Sequence, residues 1–338
     1  MSALTIVMYH YVRDLARSRY PGIKGRTIEE FEGQLDHVQK HYTVTTTRAV
    51  VEASRGGRPL PPNACLLTFD DGFLDHYTIV FPRLLARGLS GSFYPPAVVA
   101  NGGRVLDVHK IHFILAATED HAQLAHRVIQ LIDARRRDVH VPPTEALKAE
   151  HWSASGVGDG PPTAFIKRIL QRAPLPPEIR SAITQALFEE RVGVEESAFA
   201  RELYMDLPQL RAMVRQGMEV GGHGAEHVWL DQLGDAEQRR EITATRAFLA
   251  EVHGGDPVDW VMCYPYGAHD ETTVRLVADA GAALGLTTDK GIVRDLRAPL
   301  RLPRLDTNDL PLRGDAAPVA WTIEALNLSA AAPVAAAR

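Results

Sequence analysis

The sequence has few cysteines, no long apolar run and no strong excess of either charge. Its 338 residues include two cysteines, Cys65 and Cys263, too few for the disulfide framework of a small secreted domain. No segment approaches the roughly 18 uninterrupted apolar residues of a membrane helix. The first residues also lack the basic and apolar regions of a signal peptide. We therefore expect a cytoplasmic protein with no membrane span.

Lysine and arginine number 37 and aspartate and glutamate 42, which gives a formal net charge of −5. Such a balance attracts neither a phosphate backbone nor anionic lipid, so we expect no nucleic-acid partner. Hydrophobic residues make up 45% of the chain and charged residues 23%, as in an ordinary globular protein. The length is sufficient for one large α/β domain that carries insertions.

Short apolar runs alternate with amphipathic segments along the chain. The pattern predicts βα units around a mostly parallel sheet or barrel. Three helices have recognisable N-caps at Thr27, Asp206 and Asp270. The runs predicted to be strands are Leu4 to Tyr9, Ala64 to Phe69, Gly91 to Tyr94, Met218 to Gly221 and Trp260 to Cys263.

Residues from about 101 to 201 show helical patterns and few strand signals. We interpret them as a helical insertion within a single domain over 1–325, followed by a flexible tail at 326–338. The insertion follows the carboxyl end of a strand, which is where the active sites of barrels lie. Asp107, His109 and Lys110 near its start are therefore candidate substrate contacts, with plain packing as the alternative. The insertion is also a candidate contact between subunits of a homo-oligomer.

The segment CLLTFDDGF ends an apolar run in two adjacent carboxylates, Asp70 and Asp71. Two neighbouring carboxylates repel each other, so keeping both ionised requires a cation or a hydrogen-bond donor nearby. The alternative is an ordinary solvated turn before Gly72.

The segment EVGGHGAEHVWL places His223 and His227 four residues apart. If the chain after Gly224 is helical, both imidazoles lie on one face, as a divalent metal requires. Two histidines and one carboxylate would leave coordination positions open for water and substrate. With 14 histidines in the chain, an unrelated pair of surface residues is the alternative.

The segment WVMCYPYGAHD ends a predicted strand in Tyr264-Pro265-Tyr266-Gly267. A rigid loop of this kind can direct a backbone N–H group at a developing oxyanion, as amide hydrolysis needs. A Pro-Gly turn with aromatic packing is the alternative.

These motifs, in this order, resemble the polysaccharide deacetylases, which form carbohydrate esterase family four. The resemblance rests on TFDDG at 68–72, H-x-x-x-H at 223–227 and YPYG at 264–267, with support from YHYV at 9–12 and LPRLD at 302–306. It covers roughly residues 1–100 and 200–310 and leaves the helical insertion outside. It implies a distorted (β/α) barrel and a metal-dependent amidase that removes an acyl group, usually acetyl, from an amino sugar.

The resemblance also implies a role for each matching residue. Asp70 matches the catalytic base, and Asp71 matches the carboxylate that binds the metal. His223 and His227 match the two metal-binding imidazoles, while Tyr266 matches the residue whose backbone N–H helps to form the oxyanion hole. The implied cofactor is one divalent metal ion. Zinc suits this donor set best, although iron, cobalt or nickel can occupy the same set.

The sequence departs from the family pattern at two positions. Cys263 stands where many members have an arginine that braces the base, and Arg304, after the last predicted strand, is the candidate replacement. The late motif, LGLTTDKG at 284–291, also resembles the family but reads Leu284-Gly285-Leu286-Thr287 where the family usually has a histidine acid. His10, at the end of the first strand, is the candidate general acid; a histidine that is satisfied by backbone partners is the alternative.

The leading functional hypothesis is an N-deacetylase that acts on a small or activated amino sugar or a glycan. An N-deformylase or another N-deacylase on a similar sugar has the same motifs. A catalytically inactive, metal-containing sugar-binding protein is a third hypothesis, which the departures at Cys263 and Leu286 allow. Retention of both Asp70 and Asp71 argues against it, because a pure binding protein needs no base beside its metal.

Overall fold

The computed structural model of the chain describes residues 3–137, 141–155, 158–172 and 175–331. Within these ranges, eight strands form one sheet in which every paired strand runs parallel to its neighbour. The strands are β1 (Leu4–Tyr9), β2 (Thr43–Val44), β3 (Ala64–Asp70), β4 (Ser92–Tyr94), β5 (Glu219–Val220), β6 (Trp260–Cys263), β7 (Ala282–Lys290) and β8 (Leu302–Asp306).

The strand order is β5-β4-β3-β1-β8-β7-β6, with β2 beside β3. Gly222, just after β5, bonds to β6 at the other end of this order. Its N–H donates to the Val261 carbonyl at 2.9 Å, and its carbonyl accepts from the Cys263 N–H at 2.8 Å. These bonds join the two ends of the sheet, which therefore curls into a barrel.

The two faces of the sheet bury separate apolar clusters, because side chains alternate between the faces along each strand. One cluster lies inside the barrel and includes Ile6, Leu66 and Leu286. The other packs the outer face against the helices and joins residues such as Phe69 to residues such as Leu35. The sheet is thus covered on both faces, as parallel sheets usually are.

Seven helices surround this sheet in sequence segments that flank its strands. They are α1 (Ile28–His41), α2 (Thr47–Ser54), α3 (Phe81–Ala86), α10 (Leu207–Arg215), α11 (Asp235–His253), α12 (Glu271–Asp279) and α13 (Ala320–Ala331). A π-helical turn over His76–Val80 leads directly into α3. The predicted N-caps are confirmed: Thr27, Asp206 and Asp270 each accept a hydrogen bond from a backbone N–H of the third residue that follows.

Six further helices lie between β4 and β5. They are α4 (Asp107–Ala116), α5 (His121–Asp133), α6 (Thr144–His151), α7 (Pro161–Gln171), α8 (Pro177–Arg191) and α9 (Glu196–Leu203). The described part of this segment contains no strand.

The chain divides into two compact units. The first comprises Met1–Asp14, Gly25–Gly102 and Ala200–Arg338, and the second comprises Leu15–Lys24 and Gly103–Phe199. The short segment Leu15–Lys24 was not predicted to join the insertion. It does so because the Tyr20 ring packs edge-on against Phe113 of α4, with ring centroids 5.1 Å apart.

One feature near the end of the chain differs from the sequence interpretation. Residues 326–331, predicted as the start of a flexible tail, belong to helix α13, which buries Thr322 and Ala325. The rest of the predicted tail, 332–338, lies outside the described residues.

The described part of the chain has no helix with both the length and the apolar character needed to cross a membrane.

Candidate metal centre and active site

The residues of the three sequence motifs and His10 come together at the carboxyl edge of the barrel. Asp70 is the last residue of β3, and His10 follows the last residue of β1. His223 follows β5, and Tyr266 follows β6. Because all of these strands run parallel, their carboxyl ends share one edge, and residues far apart in sequence meet there.

Asp71, His223 and His227 form a compact group of three buried donors. The Nε2 atoms of the two imidazoles are 3.2 Å apart, and each lies 3.4 Å from Oδ1 of Asp71. Nδ1 of His223 is 2.7 Å from the Cys263 carbonyl, which can only accept. That bond fixes the ring so that Nε2 presents its lone pair to the group.

The spacing of these donors fits one small divalent cation. Two atoms that bind one zinc ion at 2.0–2.1 Å in tetrahedral geometry lie roughly 3.3 Å apart. The electrostatics agree with this fit. Burial alone lowers the pKa of His223, but the neighbouring carboxylates of Asp71 and Asp70 raise that pKa well above its usual range. The surroundings of the ring therefore favour positive charge.

Three residues at this edge have backbone conformations that side chains rarely adopt. Asp71, His227 and Tyr266 have φ values of 73°, 56° and 58°. They are three of the five non-glycine residues with positive φ in the described part of the chain. Left-handed backbone costs free energy and persists where surrounding structure imposes it, often at functional sites. Three non-glycine residues with left-handed backbone at one edge of the barrel are independent support for a functional centre.

Asp70 lies beside this group, fully buried, and bonds to Arg304. Nη1 of Arg304 is 2.9 Å from Oδ1 of Asp70, and Nη2 is 2.8 Å from Oδ2. Burial alone raises the pKa of Asp70, but the charge of Arg304 and the nearby imidazoles outweigh it, so the pKa lies below its ordinary value. Sγ of Cys263 is 3.5 Å from Oδ2 of the same carboxylate.

His10 stands at the more open side of Asp70. Its Nε2 is 4.0 Å from Oδ2 of Asp70, and its side chain is 40% exposed, whereas that of Asp70 is 2% exposed. An imidazole in this position can meet both a ligand from solvent and the buried carboxylate.

The turn after β6 contains two successive left-handed residues, Tyr266 and Gly267. The Tyr266 ring stacks on the indole of Trp229, with centroids 4.3 Å apart and planes 3° from parallel. It also meets the His227 ring edge-on at 4.6 Å. Trp229 was not among the predicted site residues. Its only signal in the sequence was a position two residues after His227.

The three candidate substrate contacts of the insertion lie on α4 in the second unit. His109 and Lys110 are buried. Nζ of Lys110 pairs with a Glu196 carboxylate at 2.8 Å, and Asp107 accepts a hydrogen bond from Ser181. Whether these residues contact a substrate stays a prediction.

Two local expectations need correction. The segment from His223 to His227 is a loop, not a helix, and the left-handed backbone at His227 turns its ring back toward His223. Arg304 was expected beyond the last predicted strand, but it lies inside β8, a strand that was not predicted. Its side chain therefore points into the barrel, where Nε donates to the Thr287 carbonyl at 2.8 Å.

A cavity of about 840 Å³ in the first unit contains none of the three donor residues. It opens where β4, β5 and β6 begin, and its lining includes Arg48, Ser92, Glu219 and Trp260. Glu219 accepts hydrogen bonds from the N–H groups of Thr47 and Arg48, so its charge stabilises the start of α2.

The fold and the three-donor group define a parallel α/β barrel with a candidate metal centre at its carboxyl edge. Residues 182–285 match the family described as "Polysaccharide deacetylase". A segment of 102 residues is 36% identical to the poly-beta-1,6-N-acetyl-D-glucosamine N-deacetylase of Escherichia coli strain K12. That match covers 30% of this chain and only 14% of the relative.

Solved structures share the fold. The deacetylase PplD of Streptococcus pyogenes, in complex with acetate, aligns with a TM-score of 0.56 at 15% identity and covers 90% of this chain and 92% of its own. IcaB from Ammonifex degensii aligns with a TM-score of 0.54 at 19% identity. That alignment covers 97% of this chain and 98% of the IcaB chain. These comparisons confirm both the distorted (β/α) barrel and the resemblance to the polysaccharide deacetylase family.

Proposed function

We propose that the protein is a metal-dependent N-deacetylase that hydrolyses the acetamide of an amino sugar, whether a small or activated sugar or a glycan. The observation that carries the proposal is a buried carboxylate, Asp70, which pairs with Arg304 directly beside the three-donor group of Asp71, His223 and His227. A metal site that only binds sugar has no use for a second carboxylate, which is costly to bury. The family match supports the choice of an acylated amino sugar.

In this proposal Asp71, His223 and His227 hold one divalent cation. Zinc fits two imidazoles and one carboxylate best, although iron, cobalt and nickel accept the same donors. Bound there, the cation would supply Lewis acidity, which makes water nucleophilic near neutral pH and polarises an acyl carbonyl. The spacing of the donors supports this assignment.

The residues around the group then divide the proton transfers of amide hydrolysis. Asp70 accepts a proton from water as the water oxygen bonds to the acyl carbon. The backbone N–H of Tyr266 stabilises the negative charge on the acyl oxygen. When the carbon–nitrogen bond breaks, His10 donates a proton to the departing amine, which leaves acetate and a free amino sugar. Arg304 touches no reacting atom and keeps Asp70 ionised.

The test is acid release from N-acetylated and N-formylated glucosamine and their oligomers by the zinc-loaded protein. We expect acetate release to exceed formate release. Asp70→Asn should retain metal and lose a factor of roughly 10² or more in turnover, as expected of a general base. His227→Ala should lose both metal and turnover, because one of the three donors is gone.

Other outcomes would redirect the proposal. A preference for formate would make the protein a deformylase with the same site. Stoichiometric metal and sugar binding without release of either acid would indicate a binding protein. Full metal content in His227→Ala would show that the cation is held elsewhere.

A further inference from the structure

His76 is a fully buried histidine outside the proposed mechanism. It lies five residues after Asp71 and begins the π-helical turn that leads into α3. Its ring is surrounded by aromatic side chains, with ring centroids 5.6 Å from Phe69, 5.6 Å from Phe73 and 5.9 Å from Phe93. Apolar surroundings of this kind favour an apolar side chain, because burying a polar ring costs free energy unless the ring is hydrogen-bonded.

Within the described part of the chain, the ring makes one hydrogen bond, and its partner is the backbone of His10. Nε2 of His76 is 2.7 Å from the His10 carbonyl oxygen. Because a carbonyl oxygen can only accept, Nε2 carries the proton and donates it. Burial lowers the pKa of His76 to about 4, so the ring is neutral near pH 7. Nδ1 is buried and finds no hydrogen-bond partner among the described residues, which costs stability.

The position of His10 explains why such a bond is useful. Tyr9 is the last residue of β1 in register with β3, opposite Phe69. His10 lies just beyond that register, so the strand pairing does not fix its carbonyl. The bond from His76 supplies a fixed point one residue after the strand, on the same residue whose imidazole is 4.0 Å from Asp70.

Two further contacts join the same two segments. The Tyr11 ring stacks on Phe73, with centroids 4.1 Å apart. Nε of Arg13 donates to Oδ2 of Asp75 at 2.7 Å. Residues 10–13 are therefore held to residues 73–76 at three successive points, and we call these contacts the His10 clamp. The segment 73–76 begins two residues after Asp71, so the clamp ties the loop after β1 to the segment that carries the base and the candidate metal ligand.

We propose that His76 is a positioning residue for His10: its hydrogen bond to the His10 carbonyl holds the imidazole of His10 facing Asp70. The inference rests on the proposed function, in which His10 is the proton donor. His76 itself touches no reacting atom. A π-helical turn contains one more residue than an α-helical turn and is often found at functional sites. Here it starts at the residue that makes this bond.

The test compares two substitutions of nearly equal length and shape, His76→Gln and His76→Met. Glutamine keeps an N–H donor for the His10 carbonyl, and methionine does not. In the zinc-loaded protein, His76→Met should lower kcat by about 10-fold or more with little change in KM, because a small misplacement of a catalytic group strongly slows the chemical step. His76→Gln should stay within about 3-fold of wild type.

Three controls separate positioning from general damage. His37→Met removes a histidine of similar burial on α1 and should leave kcat unchanged. His76→Met added to His10→Ala should lower kcat no further, since the bond acts through His10. The imidazole NMR signals of His10, assigned from their loss in His10→Ala, should shift or broaden in His76→Met and stay close to wild type in His76→Gln.

The NMR signals keep this inference separate from the proposed function. If the wild type releases no acid from any acylated sugar, the proposed function fails, and the His10 signals still decide the role of His76. Equal kcat values for the glutamine and methionine variants, or His10 signals that do not change in His76→Met, would overturn the inference.

Discussion

At the scale of single residues, Arg304 and Cys263 share the space beside Asp70. Arg304 is 2% exposed, and its guanidinium contacts the Thr287 carbonyl, the Thr68 hydroxyl and both oxygens of Asp70. A buried charge needs partners of this kind. Cys263 is small, and burial raises the pKa of its thiol, so it adds no charge near neutral pH. A small side chain on β6 thus leaves room for a long one from β8.

The first prediction concerns the acidic limb of the pH profile. Arg304 lowers the pKa of Asp70, and the ionised carboxylate is the active form, so activity falls as the pH drops through that pKa. Arg304→Gln removes the charge and should move the acidic limb of log kcat/KM to higher pH by about one unit or more. Measuring kcat/KM in the zinc-loaded enzyme from pH 3 to 8, a range that extends below the ordinary pKa of an aspartate, checks this shift.

Arg304→Lys is the matched control, because it keeps a positive charge but cannot make the two-point contact. Its acidic limb should lie between those of the wild type and Arg304→Gln. An acidic limb at the same pH in all three proteins would mean that another group sets the ionisation of the base.

At the scale of elements, the site depends on tight turns that follow the strands. Asp71 continues β3 through a bond from its N–H to the Tyr94 carbonyl at 3.0 Å and then turns with φ 73°. Tyr266 and Gly267 turn in the same way after β6. The strands set the positions of these turns, and the turns direct the side chains and N–H groups toward the common centre.

The second prediction compares two glycines with almost the same backbone. Gly267 has φ 71°, and a Cβ added there would lie 2.1 Å from the Thr288 hydroxyl. Gly254, at the end of α11, has φ 72°, and an added Cβ would meet nothing within 4 Å. Both alanine variants should lose about 1–2 kcal/mol of stability from the left-handed backbone. Only Gly267→Ala should also lower kcat, by about 10-fold or more, because it displaces the Tyr266 N–H.

Thermal melting, metal content and turnover of the two variants check this prediction. Gly267→Ala should keep its metal, since the three donors lie on other turns. If Gly254→Ala lost as much turnover as Gly267→Ala, the loss would reflect stability and not the geometry of the turn after β6.

The elements themselves were predicted unevenly from the sequence. All five runs predicted as strands form strands, because buried parallel strands are continuous apolar runs. β7 and β8 carried recognisable motifs, yet the polar residues Thr287 and Arg304 hid their strand character. The loop from His223 to His227 could not be told from a helix, since a spacing of four residues suits either. Trp229 offered only its position two residues after His227, and His76 gave no signal, because their partners Tyr266 and His10 are far away in sequence.

At the scale of the whole molecule, stability should depend on a buried contact between α1 and α13. Nε2 of His37 is 3.1 Å from the Thr322 hydroxyl, and the Tyr42 hydroxyl donates to the same oxygen at 3.0 Å. His37 and Thr322 are both fully buried. Burial, reinforced by His41 and Lys40, lowers the pKa of His37 to about 4. The ring is therefore neutral in the folded protein at any pH well above 4.

The third prediction follows from that lowered pKa. In the unfolded chain His37 titrates near its ordinary value of 6.5, so between pH 6.5 and 4 the unfolded state binds a proton that the folded state does not. The free energy of unfolding should therefore fall with decreasing pH in this window. His37→Gln keeps a partner for Thr322 but cannot titrate, so it should take up about one proton fewer on unfolding. Denaturant unfolding of both proteins at several pH values measures this number.

His126→Gln, at an exposed position on α5, should behave like the wild type, because an exposed ring is solvated in both states. Equal slopes for wild type and His37→Gln would show that other groups account for the acid sensitivity.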